Sequence, residues 1–354
     1  MTILKKLAIT ASICIFSLQA EAQQKPRNII FMIGDGMGLA QVYAAMTANG
    51  DSLALERCTF TGFSKTYSSD DYITDSAAGG TALACGVKTK NGMVGMNSDS
   101  IAVPSVLDHA AANDKKTGVV VSCSVTHATP ADFIAHQDNR KKEEEIAADY
   151  LLSPVDVFIG GGLEYFTKRK DKRDLTKELK EKGFVVATDM KTVTNTQSGK
   201  LAGLIAKKHP ESIKGGRGDM LRESTNTAIR ILNQNGNGFF LMIEGSQIDW
   251  ACHENNESYL IGEMLDFDKV IGAVLDFAKK DGNTLVVITA DHETGGLTIM
   301  NGDIQKRSIS TNFNKLTHTG IMVPVFAFGP GAELFSGIHQ NTEISNTIRE
   351  LLGK

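Results

Sequence analysis

Proline, tryptophan and long apolar runs are scarce in this sequence, which has 7 prolines and one tryptophan in 354 residues. Past residue 18 no apolar run is long enough to span a bilayer, so no internal membrane span is expected. The cysteines include no C-x-x-C pair and imply no disulfide connectivity, so we expect mostly buried thiols. The net charge of −4 argues against nucleic-acid recognition.

Residues 1–22 have the pattern of a secretory signal peptide. Two lysines precede an apolar stretch at residues 7–18, and an A-x-A cleavage site follows. We therefore expect a periplasmic or secreted protein without a membrane anchor. Residues 23–354 are expected to form a single domain, with a charge-rich excursion at about residues 164–220.

Short apolar runs rich in β-branched residues recur along the chain. Their near-continuous apolarity is typical of strands that are covered on both faces of a sheet. Helical patterns lie between them, at residues 104–113, 222–233 and 258–280. This alternation predicts an α/β fold, a three-layer α/β/α sandwich around a central, mostly parallel sheet. The six predicted strands are residues 28–33, 118–121, 155–159, 239–243, 284–289 and 323–328.

Polar residues cluster directly after four of these strands. Asp35 follows the first strand, residues 126–129 and 244–249 follow two others, and Asp291 and His292 follow a fourth. Open α/β sheets bind ligands at the carboxyl ends of their strands. We therefore expect these acidic and imidazole groups to lie along one rim of the sheet.

Ser76 follows Asp75 at the start of a run of small residues, in the segment TDSAAGGTA. A serine hydroxyl is a weak nucleophile that needs a base or a metal to activate it. No Gly-x-Ser-x-Gly turn surrounds Ser76, which disfavours the common serine-hydrolase arrangement. Because metal ligands are abundant elsewhere in the chain, this serine is interpreted as a metal-activated phosphotransfer site.

Asp35 lies in a glycine-rich turn with the spacing G-x-G-x-G. The dinucleotide-binding fingerprint is G-x-G-x-x-G, so a cofactor-binding turn is the weaker alternative. A carboxylate inside the turn would also repel phosphate unless a metal lay between them. A metal ligand at Asp35 fits the charge better.

Aspartate and histidine recur at spacings that suit metal binding. If their segment is helical, Asp249 and His253 lie on one face and can chelate one Zn²⁺, whereas an Asp–His hydrogen bond is the alternative. Asp291 and His292 can serve one metal only if the chain turns there, which the double glycine that follows permits. His318 supplies another imidazole before the last strand.

Oxygen ligands and one arginine complete the set of candidates. Three imidazoles with three aspartates suit a pair of zinc ions, while Thr129 and Glu244 suit Mg²⁺. Two metals about 4 Å apart can hold the attacking and leaving oxygens of an in-line displacement. Arg140 can bind two phosphoryl oxygens through its planar fork, and a surface salt bridge is its alternative role.

Taken together, these segments resemble the alkaline phosphatase family over nearly the whole expected mature chain. The matching blocks, in family order, are IIFMIGDGMG, TDSAAGGTA, THATPADFIAH with the following NR, MIEGSQIDWACH, TADHETGG and HTG. The resemblance implies hydrolysis of small-molecule phosphate monoesters, two Zn²⁺ ions, one Mg²⁺ ion and a homodimer.

The resemblance also implies a role for each candidate residue. Ser76 is expected to be the nucleophile that becomes phosphorylated, and Arg140 the group that binds the phosphoryl oxygens. The metal ligands are expected to be Asp249, His253 and His318 for one zinc ion, Asp35, Asp291 and His292 with Ser76 for the second, and Asp35, Thr129 and Glu244 for magnesium.

Two positions near the expected substrate site depart from the best-known enterobacterial pattern. His127 and Trp250 stand where that pattern has an aspartate and a lysine. Imidazole is a softer, neutral ligand that could admit Zn²⁺ at the site where Mg²⁺ is expected. Because Trp250 replaces that lysine, its ammonium group and one indirect contact with phosphate are lost, so weaker binding of the phosphate product is expected.

Two other functions fit parts of the sequence. A phosphodiesterase could use the same metals, although Arg140 favours the dianionic end of a monoester. An exported metal- or phosphate-binding protein would need no serine between metals. A sulfatase is disfavoured because Ala77, Ala78 and Gly79 follow Ser76 in place of a Pro-x-Arg context.

Overall fold

A ten-stranded sheet forms the centre of the molecule in a computed structural model that describes residues 25–353. The predicted signal peptide lies outside the described residues. The strands are β1 Asn28–Gly34, β2 Phe60–Lys65, β3 Lys116–Ser124, β4 Val157–Gly161, β5 Phe184–Ala187, β6 Lys200–Leu204, β7 Phe239–Gly245, β8 Thr284–Thr289, β9 Glu293–Thr294, β10 Leu297–Asp303, β11 Ser308–Phe313, β12 His318–Thr319, β13 Val323–Phe328 and β14 Gly337–Gln340. The α-helices are α1 Leu39–Ala48, α2 Ser76–Cys85, α3 Val106–Ala112, α4 Ala128–Ala131, α5 Glu143–Asp149, α6 Leu163–Thr167, α7 Leu175–Glu181, α8 Met190–Asn195, α9 Met220–Leu232, α10 Gln247–His253, α11 Glu257–Asp281 and α12 Asn341–Leu352.

The strand order of the main sheet is β14-β2-β13-β8-β1-β7-β3-β4-β6-β5. From β8 to β5 every neighbouring pair is parallel. In contrast, β13 is antiparallel to both β8 and β2. The prediction of a mostly parallel central sheet is therefore confirmed. Within the part of the chain that the structure describes, no helix has the length and apolarity needed to cross a bilayer.

Helices cover both faces of the sheet, as the side chains of β1 illustrate. Ile29, Phe31 and Ile33 pack into one core with residues of α2, α3, α5 and α12. Ile30 and Met32 point the other way, into a core with residues of α1, α9, α10 and α11. Both faces of β1 are buried, which is why its sequence is apolar without alternation. The predicted three-layer sandwich is confirmed.

The apolar runs locate the central strands more accurately than the edge strands. β8 and β13 begin and end at the predicted residues, and β1 is one residue longer than predicted. The apolar runs predict neither β2 nor β14. β2 buries only alternate residues and β14 is largely exposed, so neither strand needs a continuous apolar sequence.

Residues 164–220 include β5 and β6, the last two strands at one end of the main sheet. β6 pairs with β4, and β5 pairs with β6, both in parallel. Leu201 and Ala202 of β6 are fully buried, so this segment contributes to the cores on both faces.

A buried ion pair holds the end of this segment against α11. The Arg217 side chain is 2% exposed and donates to the carboxylates of Glu263 and Asp266, with 2.9 Å between Nη2 and Asp266 Oδ2. Burial raises the pKa of both carboxyls. The guanidinium is therefore the counter-charge that lets the two acids ionise at this position.

Replacing Arg217 with alanine should lower the free energy of unfolding by about 3–5 kcal/mol, because two buried carboxyls lose their cation. Arg222→Ala is the matched control, since it removes only the exposed pair with Asp219 and should cost less than about 1 kcal/mol. Urea unfolding followed by circular dichroism measures both variants. Equal losses would show that the buried pair is no more important than the surface one.

Candidate active site

Four adjacent parallel strands, β8, β1, β7 and β3, bring the candidate residues to one edge of the sheet. Asp291 and His292 follow β8, and Asp35 follows β1. Glu244 lies near the end of β7, and Thr129 lies in α4, just after β3. Because these strands run in the same direction, their carboxyl ends meet at this edge. The rim expected from the sequence is present in the structure.

Ser76 is the first residue of α2 and is 2% exposed. Asp75 caps this helix, and its Oδ1 accepts a hydrogen bond from the Ala78 amide at 3.0 Å. The Ser76 Oγ lies 3.2 Å from Nε2 of His292. Helix N-termini favour negative charge through their free amides and dipole, so this position suits a phosphorylated oxygen.

Asp35, Asp291 and His292 form a buried group beside Ser76. His292 Nε2 lies 3.1 Å from Asp291 Oδ2 and 3.5 Å from Asp35 Oδ1. Within residues 25–353, neither carboxylate oxygen of Asp35 has a hydrogen-bond partner, and neither does Asp291 Oδ2. Buried oxygens without partners are costly unless a cation or another ligand satisfies them.

Asp249, His253 and His318 form a second group. His253 Nε2 lies 3.3 Å from Asp249 Oδ1 and 3.2 Å from His318 Nε2. Each imidazole also places Nδ1 on a backbone carbonyl, His253 on Leu316 and His318 on Thr74. If Nδ1 donates there, Nε2 keeps its lone pair for a metal. The helical spacing predicted for Asp249 and His253 is confirmed, because both lie in α10.

Thr294 connects the two groups, although no sequence pattern singles it out as a site residue. It pairs with His318 in the short β9–β12 bridge, and its hydroxyl donates to Asp249 and lies 3.2 Å from His292 Nδ1. The rings of His292 and His318 stack with centroids 3.5 Å apart. Gly295, at φ +89°, makes the turn that allows this arrangement.

Thr129 and Glu244 form a third group with His127. Thr129 and Glu244 are fully buried. The Thr129 hydroxyl, Glu244 Oε1 and His127 Nδ1 have no hydrogen-bond partner among the described residues. Two hard oxygens and one imidazole nitrogen are therefore free to bind a cation at this point.

Arg140 lies beside Ser76, with a side chain that is 24% exposed. Its Nη1 donates to Asp75 Oδ2 at 3.0 Å, and its Nη2 is 3.3 Å from His127 Nε2. Because Asp75 also caps α2, the salt bridge fixes the guanidinium close to the serine. The pair is thus part of the site and not a salt bridge on a remote surface.

Trp250 and His127 pack edge to face, with ring centroids 6.0 Å apart. His209 joins them, with its ring centroid 4.7 Å from that of Trp250 and its Nδ1 accepting from the Ser124 amide at 3.1 Å. A cleft of about 470 Å³ lies next to this cluster and is lined in part by His209, Trp250 and Tyr259. No sequence pattern singles out His209, because its contacts are with residues that are distant along the chain.

The buried carboxyls have strongly shifted pKa values. Burial, followed by the charges of Asp291 and Asp249, raises the pKa of Asp35 well above its usual value. Burial raises the pKa of Glu244 to about 8. Burial would also raise the pKa of Asp249, but its hydrogen bond with His253 and the charges of nearby imidazoles lower it. Cations in the site would allow Asp35 and Glu244 to ionise.

Two of the histidines are held in the neutral form that binds metals. Burial, followed by the charge of Arg140, lowers the pKa of His127 to about 3. Burial and then the charge of His292 lower the pKa of His318 to about 4. Together with the oxygens that lack partners, these neutral imidazoles show that the donor set fits divalent cations.

Comparison with known proteins identifies the family. The model of the alkaline phosphatase family matches residues 26–312. Alkaline phosphatase 4 of Bacillus subtilis is 35% identical, over 95% of this chain and 91% of that protein. The solved alkaline phosphatase of the Antarctic bacterium TAB5 is 44% identical with a TM-score of 0.87, over 93% of this chain and 98% of that one. A solved variant of the TAB5 enzyme has a histidine replaced by aspartate and Mg bound in the M3 site. It is 43% identical with a TM-score of 0.88, over 93% of this chain and 99% of that one.

The metal-free protein should lose stability as the pH rises from 6.5 to 8. Glu244, with a pKa of about 8, and Asp35 hold protons in the fold that the unfolded chain has already lost. Burial lowers the pKa of His292 and His253, but the carboxylates of Asp291 and Asp249 raise it by more. These histidines therefore also hold protons in the fold that the unfolded chain loses at lower pH. His127 and His318 act the other way, because they are neutral in the fold, but an unfolded histidine is only about half protonated at pH 6.5. The folded state therefore still binds more protons, so its stability falls as the pH rises.

Urea unfolding of chelator-treated protein at pH 6.5 and pH 8 measures this fall in the free energy of unfolding, which should amount to a few kcal/mol. Restoring Zn²⁺ and Mg²⁺ should remove most of it. Glu244→Gln, which cannot ionise, is the matched control and should show a smaller decrease. Equal stability of the metal-free protein at both pH values would contradict the assigned charges.

Proposed function

The chain belongs to the alkaline phosphatase family and is a phosphoric monoester hydrolase, and on this premise we propose that Ser76 is its nucleophile. The observation that carries the proposal is the position of Ser76 Oγ at the N-terminus of α2, 3.2 Å from His292 Nε2. In the reaction, Oγ forms a bond to phosphorus as the bond from phosphorus to the alcohol oxygen breaks. Water then hydrolyses the phosphoserine, which releases inorganic phosphate and restores the hydroxyl.

The three groups of side chains are assigned as metal ligands. When bound, the cations would lower the pKa of the serine hydroxyl and of the attacking water, and stabilise the leaving oxygen. The buried oxygens without hydrogen-bond partners support this assignment. The ligands are Asp249, His253 and His318 for one Zn²⁺, Asp35, Asp291 and His292 for the second, and Asp35, Thr129 and Glu244 for Mg²⁺.

Arg140 binds two non-bridging oxygens of the phosphoryl group in this proposal. Its salt bridge with Asp75 aims the guanidinium at the start of α2, where the phosphoryl group would bind to Ser76. A planar guanidinium matches two oxygens at once. A monoester presents a dianionic end, whereas a diester has one of these oxygens blocked, so Arg140 favours monoesters.

His127 and Trp250 are proposed to border the substrate site. His127 contacts Arg140 and is neutral, with a pKa of about 3, and Trp250 packs against it without adding charge. Phosphate therefore lacks an ammonium contact here. The Mg-bound M3 site of the TAB5 variant, which has aspartate in place of a histidine, supports a role for imidazole in the choice of metal.

Export and dimer formation are further parts of the proposal. Residues 1–22 have the signal-peptide pattern and would direct the protein to the periplasm or medium. A homodimer is supported by large apolar side chains at the surface, including Tyr72 and Ile321, which are 74% and 59% exposed.

Hydrolysis of an aryl phosphate monoester should be much faster than that of the matching diester at alkaline pH. A chelator should abolish it, because the carboxylates and imidazoles of the site act only with bound cations, and Zn²⁺ with Mg²⁺ should restore it. Release of the aryl alcohol measures both substrates. Faster turnover of the diester would place the chain with phosphodiesterases, and no turnover of either would favour a binding protein.

Ser76→Ala should lower kcat by at least about 10³-fold, since it removes the atom that accepts the phosphoryl group. Ser98→Ala, a serine outside the site, is the matched control and should keep the parent rate. Quenched single-turnover reactions should give a phosphorylated protein only when Ser76 is present. Labelling of Ser76→Ala at the parent level would assign the nucleophile to another residue.

Trp250→Lys should tighten inhibition by inorganic phosphate about tenfold, because it supplies a charged contact to the anion. Trp250→Phe keeps an aromatic ring without the charge and should leave the inhibition constant close to that of the parent. Steady-state inhibition assays measure both. An unchanged constant in Trp250→Lys would mean that this position does not reach the phosphate.

A further inference from the structure

Cys123 lies at the rim of the site although the proposed function gives it no role. It is fully buried near the end of β3, and its Sγ is 3.4 Å from Oε2 of Glu244. The Cys123 sulfur, a ring nitrogen of His127 and a carboxylate oxygen of Glu244 all lie within 4.8 Å of one another. A sulfur, a nitrogen and an oxygen therefore converge on one buried point.

Independent features of this point indicate a ligand. Glu244 Oε1 and the Thr129 hydroxyl belong to fully buried side chains, and neither has a hydrogen-bond partner within the described part of the chain. His127 Nδ1 likewise has no hydrogen-bond partner among the described residues. Buried polar atoms in a native protein are rarely left unsatisfied, and a cation would satisfy all three.

We propose that Cys123 Sγ is a ligand of the third cation site, together with His127 and Glu244. A thiolate and an imidazole are soft ligands, so the site assigned above to Mg²⁺ would instead prefer a thiophilic cation such as Zn²⁺ or Co²⁺. Binding would release the thiol proton to solvent. The inference rests on the metal site of the proposed function, but it does not depend on turnover at Ser76.

The backbone makes this coordination feasible. β3 and β7 are adjacent parallel strands, and Val121 is in register with Glu244. The register of β3 with β4 shifts between Val120 and Ser124, but Val121 and Cys123 still pack into the same core on one face of the sheet. In a tetrahedral zinc site, ligand atoms lie about 3.5 Å apart. Atoms within 4.8 Å therefore need only a modest inward shift.

The other cysteines differ from Cys123 in their surroundings. Among residues 25–353, Cys123 is the one cysteine in a group of three possible metal ligands. The Cys123 thiol contacts the backbone carbonyl of Ser124 as well as Glu244, whereas the buried Cys85 thiol contacts only backbone carbonyls, those of Val103 and Asp132. Cys58 is only partly buried, and Cys252 contacts the Gln41 amide. Cys85 is therefore a matched control, since it is buried but belongs to none of the groups of possible metal ligands among the described residues.

Titration of the chelator-treated full chain with Co²⁺ tests the proposal without an activity assay. Co²⁺ bound by a thiolate gives an intense charge-transfer absorption in the near ultraviolet, which oxygen and nitrogen ligands do not. We expect this absorption in the parent and in Cys85→Ser, and its loss in Cys123→Ser while the remaining Co²⁺ still binds. Its absence from a parent that binds Co²⁺, or its survival in Cys123→Ser, would overturn the proposal.

A second variant keeps the test decisive if Cys123→Ser fails to fold. A protein with serine at Cys58, Cys85 and Cys252 should retain the full charge-transfer absorption, because Cys123 is then the one thiol left in residues 23–354. Loss of the absorption in this variant would assign it to another cysteine and overturn the proposal.

Metal competition gives a second readout. In Cys123→Ser we expect the Zn²⁺ affinity of the third site to fall at least tenfold, with the Mg²⁺ affinity changed less than threefold. Equal losses for both metals would contradict a specific thiolate contact. If the parent binds no metal at all, the proposed function fails, whereas binding and turnover without the charge-transfer absorption would refute only the role of Cys123.

Discussion

The parallel hydrogen bonding of β8, β1, β7 and β3 is the constraint on which the site depends. Each of these strands has an apolar sequence that needs cover on both faces, and each ends at the same edge of the sheet. The polar residues directly after the strands therefore meet there without any need to be close in sequence. Ser76 arrives at the same edge from α2, and the Asp75–Arg140 salt bridge connects that helix to the loop after α4.

This convergence concentrates acidic groups where water cannot solvate them. Asp35 and Glu244 have raised pKa values because they are buried, and several of their oxygens have no hydrogen-bond partner among residues 25–353. The same charge that destabilises the metal-free fold gives the site its affinity for divalent cations. Stability and catalysis are thereby coupled, since the groups proposed to activate Ser76 are those whose ionisation the cations stabilise.

The third group combines hard and soft ligands. Thr129 and Glu244 provide oxygens, while His127 and Cys123 provide an imidazole and a thiol close to the Glu244 carboxylate. The aromatic contact with Trp250 keeps the phosphate side of His127 free of positive charge apart from Arg140. In the proposed function, choice of metal and strength of phosphate binding are therefore set within one small cluster, by ligand softness and by the lack of a lysine ammonium at Trp250.

The sequence by itself determined the features that depend on local pattern. Apolar runs gave the bounds of β8 and β13, and the four-residue spacing placed Asp249 and His253 on one face of a helix. Only the tertiary structure decided which distant groups touch. Thr294 connects two ligand groups, and His209 stacks on Trp250, through contacts that no local periodicity encodes. β2 and β14 were missed for the same reason, because these two strands at one end of the sheet are stabilised by their neighbours and need no continuous apolar run of their own.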